Sequence, residues 1–207
     1  MNNTANKKDV LNKDLWLKLL DAMERHIVHW VKVKGHADNK YNERCDECAK
    51  GLKIVQDNYK SVNFLCELDI SDLDSIYGLI DDKIVYNRVK HVVSEMDRVK
   101  KTYSALNSGD LETVGKLLNA SHKSLKEDYE VTGLELDTIV ELAQGVDGVL
   151  GARMIGAGFA GCAIAIVKKG AVDNVIENVC KEYKKIIGYD CDIYEALTKE
   201  VISKYKC

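Results

Sequence analysis

A glycine-rich segment in the last third of the chain has residue types that could bind a phosphate group. Residues 155–161 have the sequence I-G-A-G-F-A-G, and Gly156, Gly158 and Gly161 let the backbone turn sharply and approach a ligand closely. Such a pattern is weak evidence by itself, because tight connections between strands also use glycine. These residues alone therefore leave two interpretations open, a phosphate contact and a turn without ligand.

A second group of candidate residues lies between residues 36 and 48. His36 occurs in the polar stretch K-G-H-A-D-N-K, and Asp46 lies between Cys45 and Cys48. The C-x-x-C pair has no second pair or histidine at the spacing of a zinc site. The residues themselves favour exposed polar side chains here over a metal site.

The pattern of helices and strands that would position these residues is typical of a helix-rich α+β protein. The chain contains no proline, which is compatible with long helices. Apolar residues recur at helical spacing over 14–25, 41–57, 86–107, 111–118, 135–143 and 172–187, with a short final helix at 197–205. Strands are predicted at 27–33, 149–155, 162–167 and 191–195. Asp110 and a Thr132–Glu135 capping box are the predicted helix starts, and Gly188 is a predicted helix end. Within 86–107, the residues Val92, Met96, Val99, Tyr103 and Leu106 form an apolar seam.

Composition limits the classes of function. The 207 residues are 46% hydrophobic and 30% charged with a net charge of −3, which is typical of a globular protein. This balance gives no electrostatic reason to bind nucleic acid or a membrane surface. There is no apolar run long enough to span a bilayer and no apolar core of a signal peptide at the N-terminus. We therefore expect a cytoplasmic location, no membrane partner and no nucleic-acid partner.

Residues 15–49 resemble the C-terminal end of ribonuclease H. The resemblance rests on W-V-K-V-K-G-H-A at 30–37 and N-E-R-C-D-E at 42–47, in the order and spacing of that family. It implies that His36 matches a loop histidine that helps product leave, and that Asp46 matches the last of four metal-binding carboxylates. The other three family carboxylates have no counterpart upstream in this sequence. We therefore expect no metal at Asp46 and no nuclease activity.

A longer stretch, from about residue 37 to residue 195, resembles the C-terminal half of the galactokinase family of GHMP small-molecule kinases. The similarity rests on N-A-S-H-K-S-L-K-E-D-Y-E-V-T-G-L-E-L-D at 119–137 and G-V-L-G-A-R-M-I-G-A-G-F-A-G at 148–161. The segments 91–118 and 37–56 also fit helices of that family. The resemblance implies a GHMP-kinase C-terminal-like domain with ferredoxin-like β/α elements.

The same resemblance implies a reaction and a site. The family transfers a phosphoryl group from ATP, with Mg²⁺, to the anomeric C1 hydroxyl of galactose. The residues implied beside the nucleotide phosphates are Arg153, Gly156, Ala157, Gly158, Phe159 and Gly161. Two residues depart from the family pattern, since Ile155 replaces a threonine and Ala160 replaces a glycine. The family motif at Ser121, His122, Asp128 and Tyr129 has a role that the sequence leaves open.

Together the two resemblances predict an apparent chimera. We expect a ribonuclease H-like remnant at 1–40 and a galactokinase-like domain at 41–207, overlapping at 37–49. The strand at 27–33 is expected to lack the sheet that it joins in ribonuclease H, so the stable unit is expected to be 86–195. Its origin as a natural, assembled or engineered sequence stays open.

The family's ATP-cradling loop and catalytic aspartate have no counterpart in these residues. We therefore expect a truncated kinase, and its status as an enzyme stays open. Tested by itself, the chain is expected to use no cofactor and to be inactive. Two alternatives remain, a nucleic-acid-binding or nuclease remnant and a non-catalytic interaction module. Such a module would associate with itself or with a complementing N-terminal kinase half.

Overall fold

Helices and a small antiparallel sheet make up the computed structural model, which describes residues 26–33, 40–159, 161–196 and 203–206. The helices are α1 (Lys40–Asn58), α2 (Leu73–Tyr77), α3 (Lys83–Ser108), α4 (Leu111–Glu127), α5 (Leu134–Gln144) and α6 (Val172–Ile187). The strands are β1 (His26–Val33), β2 (Val149–Ile155), β3 (Gly161–Lys168), β4 (Asp192–Ala196) and β5 (Ser203–Lys206). This arrangement confirms the predicted helix-rich α+β class.

The five strands form one antiparallel sheet in the order β2-β3-β1-β4-β5. The β2–β3 pair is the one predicted from the two apolar runs that flank the glycines. The expectation that the strand at 27–33 has no partner is wrong, because β1 lies in the middle of the sheet between β3 and β4. Its new partners supply the main-chain hydrogen bonds that every strand interior needs.

Helix α4 covers the outer edge of β2. The main-chain N–H of Ala152 donates to Asn119 Oδ1 at 2.8 Å, and that of Met154 donates to His122 Nδ1 at 3.2 Å. The helix approaches this closely because Gly115 on α4 has no side chain, and a Cβ there would overlap the backbone of Leu150. Side chains of α4 therefore satisfy an edge that would otherwise expose unpaired donors.

Three groups of buried residues hold the elements together. One face of the sheet packs against α5 and α6 through Met154, Ala165, Val167, Leu136 and Val179. A second cluster joins α1, α3 and the segment between them, and a third joins the end of α3 to α4 and Ile166. Helices thus pack on both faces of the sheet, since Ile166 lies on the face opposite to Ala165 and Val167.

Several predicted helix ends are confirmed. Asp110 caps α4 by accepting the Thr113 N–H at 3.0 Å, and Gly188 ends α6 with a φ of 90°. The predicted capping box is wrong, because α5 begins at Leu134 and its N-cap residue, Gly133, makes no side-chain cap.

Other local predictions are also corrected. The predicted final helix is wrong over its last residues, since Ser203–Lys206 forms β5 and pairs with β4. The apolar seam of α3 is wrong at Val99 and Tyr103, which are exposed along a cavity, whereas Leu106 of the same seam is buried in the core. The predicted helix at 14–25 lies outside the described residues. Among the helices that the structure describes, none has the length and apolarity needed to cross a bilayer.

Candidate functional site

The connection between β2 and β3 carries the glycine-rich segment, and its backbone is left-handed at four positions. The φ angles are 86° at Gly156, 83° at Gly158, 61° at Phe159 and 118° at Gly161. Gly156 and Ala157 are exposed, whereas Gly158 is buried. Glycine adopts such angles without strain, whereas Phe159 does so at a cost. The segment forms a tight loop whose exposed tip carries Gly156 and Ala157.

This loop rests on the backbone of Val131. The N–H of Phe159 donates to the Val131 carbonyl oxygen at 2.6 Å. A Cβ at Gly158 would lie 2.7 Å from the Val131 Cβ, closer than real Cβ contacts come. Val131 is itself almost fully buried. The position of the loop is therefore fixed by the segment between α4 and α5.

Arg88 of α3 holds that segment in place. Its side chain is 1% exposed and donates to Glu47 and Glu130, each at 2.6 Å, and to the Asp128 carbonyl oxygen. Burial opposes the charge on Arg88, but its hydrogen bonds to the two glutamates outweigh burial and raise its pKa. Glu130 has a φ of 54°, a strained angle for this residue type. The ion pair helps hold that strained backbone directly before Val131.

The first turns of α1 lie against the same segment. Arg44 donates to the Tyr129 carbonyl oxygen at 3.3 Å and pairs with Glu47 at 2.8 Å. The ammonium group of Lys40 lies 5.8 Å from the centre of the Phe159 ring. A helix N-terminus and a lysine therefore lie beside the loop, and both favour a bound anion.

Arg153 belongs to a neighbouring charge cluster. Its guanidinium donates to Glu95 of α3 at 2.9 Å, and Glu95 also accepts from Ser121 at 2.6 Å and pairs with Arg98 at 2.7 Å. Burial by itself would raise the pKa of Glu95. The hydrogen bonds and the positive charges together have the larger effect, so the pKa of Glu95 is lowered overall. The cluster lines a cavity of about 670 Å³ between α3, α4 and β2. Arg153 is thus held on the α3 side of β2.

The family motif at residues 121, 122, 128 and 129 makes hydrogen bonds, ion pairs and a ring contact within the fold. Ser121 bonds Glu95, and His122 caps the edge of β2 with its Nε2 3.4 Å from Asp137 Oδ1. Asp128 accepts from Lys90 at 2.8 Å and from Ser124 at 2.9 Å. Tyr129 stacks on His91 with ring centres 4.4 Å apart. Burial is the main cause that raises the pKa of Tyr129 and lowers that of His91 to about 4.

The two ribonuclease-like candidates have different outcomes. Asp46 lies on α1 with an exposed side chain, whereas His36 lies outside the described residues. Within the described ranges there is no group of three or more His, Cys, Asp or Glu side chains that could hold a metal ion. The structure therefore brings the glycine-rich loop together with α1, and among the residues that it describes Asp46 belongs to no such group of ligands.

Sequence reasoning missed the residues that hold the loop, namely Arg88, Glu130 and Val131. One pattern could have identified the first of them. Arg88 lies three residues after Val85 and four before Val92, so it falls within the apolar stripe of α3. A charge at such a position needs buried partners.

Comparison with known families identifies two regions. Residues 102–185 match the family described as GHMP kinases C terminal. Residues 1–53 match the family described as RNase H. The first match covers the last seven residues of α3, all of α4, α5, β2 and β3, and α6 as far as residue 185, and hence the glycine-rich loop. The second covers β1 and α1 as far as residue 53.

Individual relatives agree with the first match. The chain is 51% identical over 170 residues to the galactokinase of Enterococcus faecalis, covering 82% of this chain and 44% of the relative. It is 51% identical over 179 residues to that of Limosilactobacillus reuteri, covering 86% of this chain and 45% of the relative. The crystal structure of Lactococcus lactis galactokinase complexed with galactose superposes with a TM-score of 0.81 at 41% identity, over 90% of this chain and 48% of that one. The chain thus spans a little under half the length of these relatives.

Proposed function

The chain carries a GHMP kinase C-terminal domain of the galactokinase type, and from that premise we propose that it supplies the C-terminal half of an ATP-dependent galactose kinase. The observation that carries the proposal is the similarity to galactokinases, at 51% identity over 82% of the chain. In the proposed reaction the C1 hydroxyl oxygen of galactose bonds to the γ-phosphorus of ATP. ADP leaves, and the hydroxyl proton is released. The same proposal places the chain in the cytoplasm.

The loop after β2 fits a phosphate-binding role. The tip carries Gly156 and Ala157, both exposed, and their main-chain N–H groups make no hydrogen bond to another described residue. The N-terminus of α1 and Lys40 lie on its flank. Main-chain amides at an exposed loop tip, a helix N-terminus and a lysine together favour the oxygens of a nucleotide phosphate. Arg153 is included in the proposed site by the family resemblance alone, because its guanidinium pairs with Glu95 on the α3 side of β2.

Bound Mg·ATP would supply the phosphoryl group and neutralise its charge. The described residues contain no group of three or more His, Cys, Asp or Glu side chains that could hold the metal, and the contribution that we propose for the chain is the orientation of the phosphates. Phosphoryl transfer depends mostly on positioning and charge stabilisation. We therefore propose that the 207-residue polypeptide tested alone is inactive, and that its partners are galactose, ATP and a complementing N-terminal kinase half.

The ribonuclease-like match gives no second function. Asp46 is exposed, and no group of metal ligands accompanies it among the described residues. A two-metal nuclease needs several carboxylates to hold its ions. The proposal accordingly assigns no nuclease role to residues 1–53.

The test measures ADP release with galactose and Mg·ATP, first for the chain alone and then after adding the N-terminal half of the Enterococcus faecalis relative. We expect no turnover alone and turnover in the mixture. Ala157→Asp puts a negative charge at the exposed loop tip and should raise the KM for ATP on the order of tenfold. Asn174→Asp adds the same charge on an exposed position of α6 and should leave the KM unchanged. Equal effects of the two variants would refute the phosphate-binding role of the loop.

A further inference from the structure

The position of β1 carries an inference that is independent of the kinase proposal. Both edges of β1 are occupied, since eight of its residues pair with β3, from His26↔Lys168 to Val33↔Gly161. Five pair with β4, from Val28↔Ala196 to Lys32↔Asp192. β3 and β4 do not pair with each other. Among the described strands, the hydrogen-bonded connection between β3 and β4 therefore runs through β1.

The geometry of a sheet shows what β1 holds together. Neighbouring strands lie about 4.8 Å apart, so β3 and β4 are separated by roughly 10 Å and cannot bond directly. Without β1 the sheet would split into a β2–β3 pair and a β4–β5 pair, each with an unpaired row of N–H and C=O groups. The core under the sheet spans the same gap, because Ala163 of β3 and Ile193 of β4 belong to one buried cluster.

The two sequence similarities meet inside this single sheet. The RNase H match covers residues 1–53 and includes β1. The GHMP kinase match covers residues 102–185 and includes β2, β3 and nearly all of α6. A strand from the ribonuclease-like match is thus the central strand of the sheet. One of its neighbours, β3, lies within the kinase match, and the other, β4, follows that match in the chain. Main-chain hydrogen bonds allow a strand with a different sequence to occupy this position, because they do not depend on the identity of the side chains.

We propose that the gap between β3 and β4 is a strand-acceptor site and that residues 26–33 are the strand that occupies it. The ribonuclease-like segment is then a structural part of the kinase-type domain. With both edges bonded, β1 is not available to a ribonuclease-like sheet or to a hybrid-binding surface built on one. Folding is cooperative across residue 40, where the two sequence resemblances divide.

Hydrogen exchange of the full chain, followed by mass spectrometry, tests the proposal. Amides of residues 26–33 should exchange at least about tenfold more slowly than those of the free peptide, together with the amides of β3 and β4. Exchange of 26–33 at the free-peptide rate, with β3 still protected, would overturn the proposal. This measurement on the unaltered chain decides the matter even where a variant fails to fold.

Two substitutions at Val31, which pairs with Ala163 and Ile193, separate main-chain from side-chain effects. Val31→Pro removes the N–H and should reduce protection in β3 and β4 by about tenfold or more. Val31→Thr keeps the N–H and the branched shape, and it should preserve protection in both strands. If Val31→Pro leaves β3 and β4 as protected as in the unaltered chain, β1 does not bridge them and the acceptor site is refuted.

Discussion

Substituting alanine at two glycines of the β2–β3 loop separates backbone strain from contact with the underlying segment. Gly156 and Gly158 have nearly the same φ, 86° and 83°. Alanine in this left-handed region costs roughly 1–2 kcal/mol at either position. The surroundings differ, because a Cβ at Gly156 meets nothing within 4 Å, whereas one at Gly158 overlaps the backbone of Val131. Gly156→Ala is therefore a matched control for Gly158→Ala.

The additional cost at Gly158 follows from the contact with Val131. The new Cβ would lie 2.7 Å from the Val131 Cβ, so the loop must move by roughly 1 Å to reach an ordinary carbon–carbon distance. That movement breaks the 2.6 Å hydrogen bond from the Phe159 N–H to the Val131 carbonyl oxygen. Leaving such buried groups unpaired costs about 1–3 kcal/mol. We expect Gly158→Ala to lower the free energy of unfolding by this amount beyond the loss in Gly156→Ala.

Urea unfolding of both variants and of the unaltered chain, followed by circular dichroism, measures the difference. The slope against denaturant should be the same in all three, so that the midpoints report stability. Two variants that unfold within about 0.5 kcal/mol of each other would refute the reasoning. The contact with Val131 would then not be what fixes the position of the loop.

The remaining predictions concern buried charge. Arg88→Met should lower the free energy of unfolding by about 2–4 kcal/mol, less than for a fully buried pair because Glu130 is 58% exposed. Lys53→Met, which breaks an exposed pair with Asp57, should change it by less than about 0.5 kcal/mol, and equal losses would contradict the role given to Arg88. Burial lowers the pKa of His91 to about 4 in the folded chain. The unfolded chain therefore binds this proton more readily below about pH 6.5. The free energy of unfolding should fall by about 3 kcal/mol as the pH drops from about 6.5 to about 4. His91→Asn should remove that part of the decrease in urea unfolding at successive pH values, and an unchanged pH profile would contradict this assignment.

Local patterns predicted most elements because their causes are local. Asp110 and Gly188 mark helix ends through contacts within a few residues. The glycine-rich loop was equally visible, since left-handed backbone requires glycine at Gly156 and Gly158. The final helix was wrong at Ser203–Lys206 because strand formation there depends on pairing with β4. Periodicity within a segment carries no information about such a partner.

The same limit explains the misplaced expectation for β1. Its residues predict a strand correctly, but which strands lie beside it depends on the gap between β3 and β4, far along the chain. The support of the loop was invisible for a related reason. Arg88 bonds Glu47 and Glu130, each more than 40 residues away. Only its place within the apolar stripe of α3 indicated that a buried partner must exist.

The junction between the two similarities also constrains how this chain can fold. Helix α1 lies partly in the ribonuclease-like match, which ends at residue 53, yet Arg44 and Glu47 bond residues of the kinase-like part. Gly51 and Val55 continue the same face toward Val89 of α3. One inserted or deleted residue within α1 would rotate its first turns by about 100° relative to this face. Arg44 and Glu47 would then point away from Arg88, and the segment that carries the glycine-rich loop would lose its support. The two sequences are therefore joined in helical register, and this register connects the ribonuclease-like part to the proposed phosphate site.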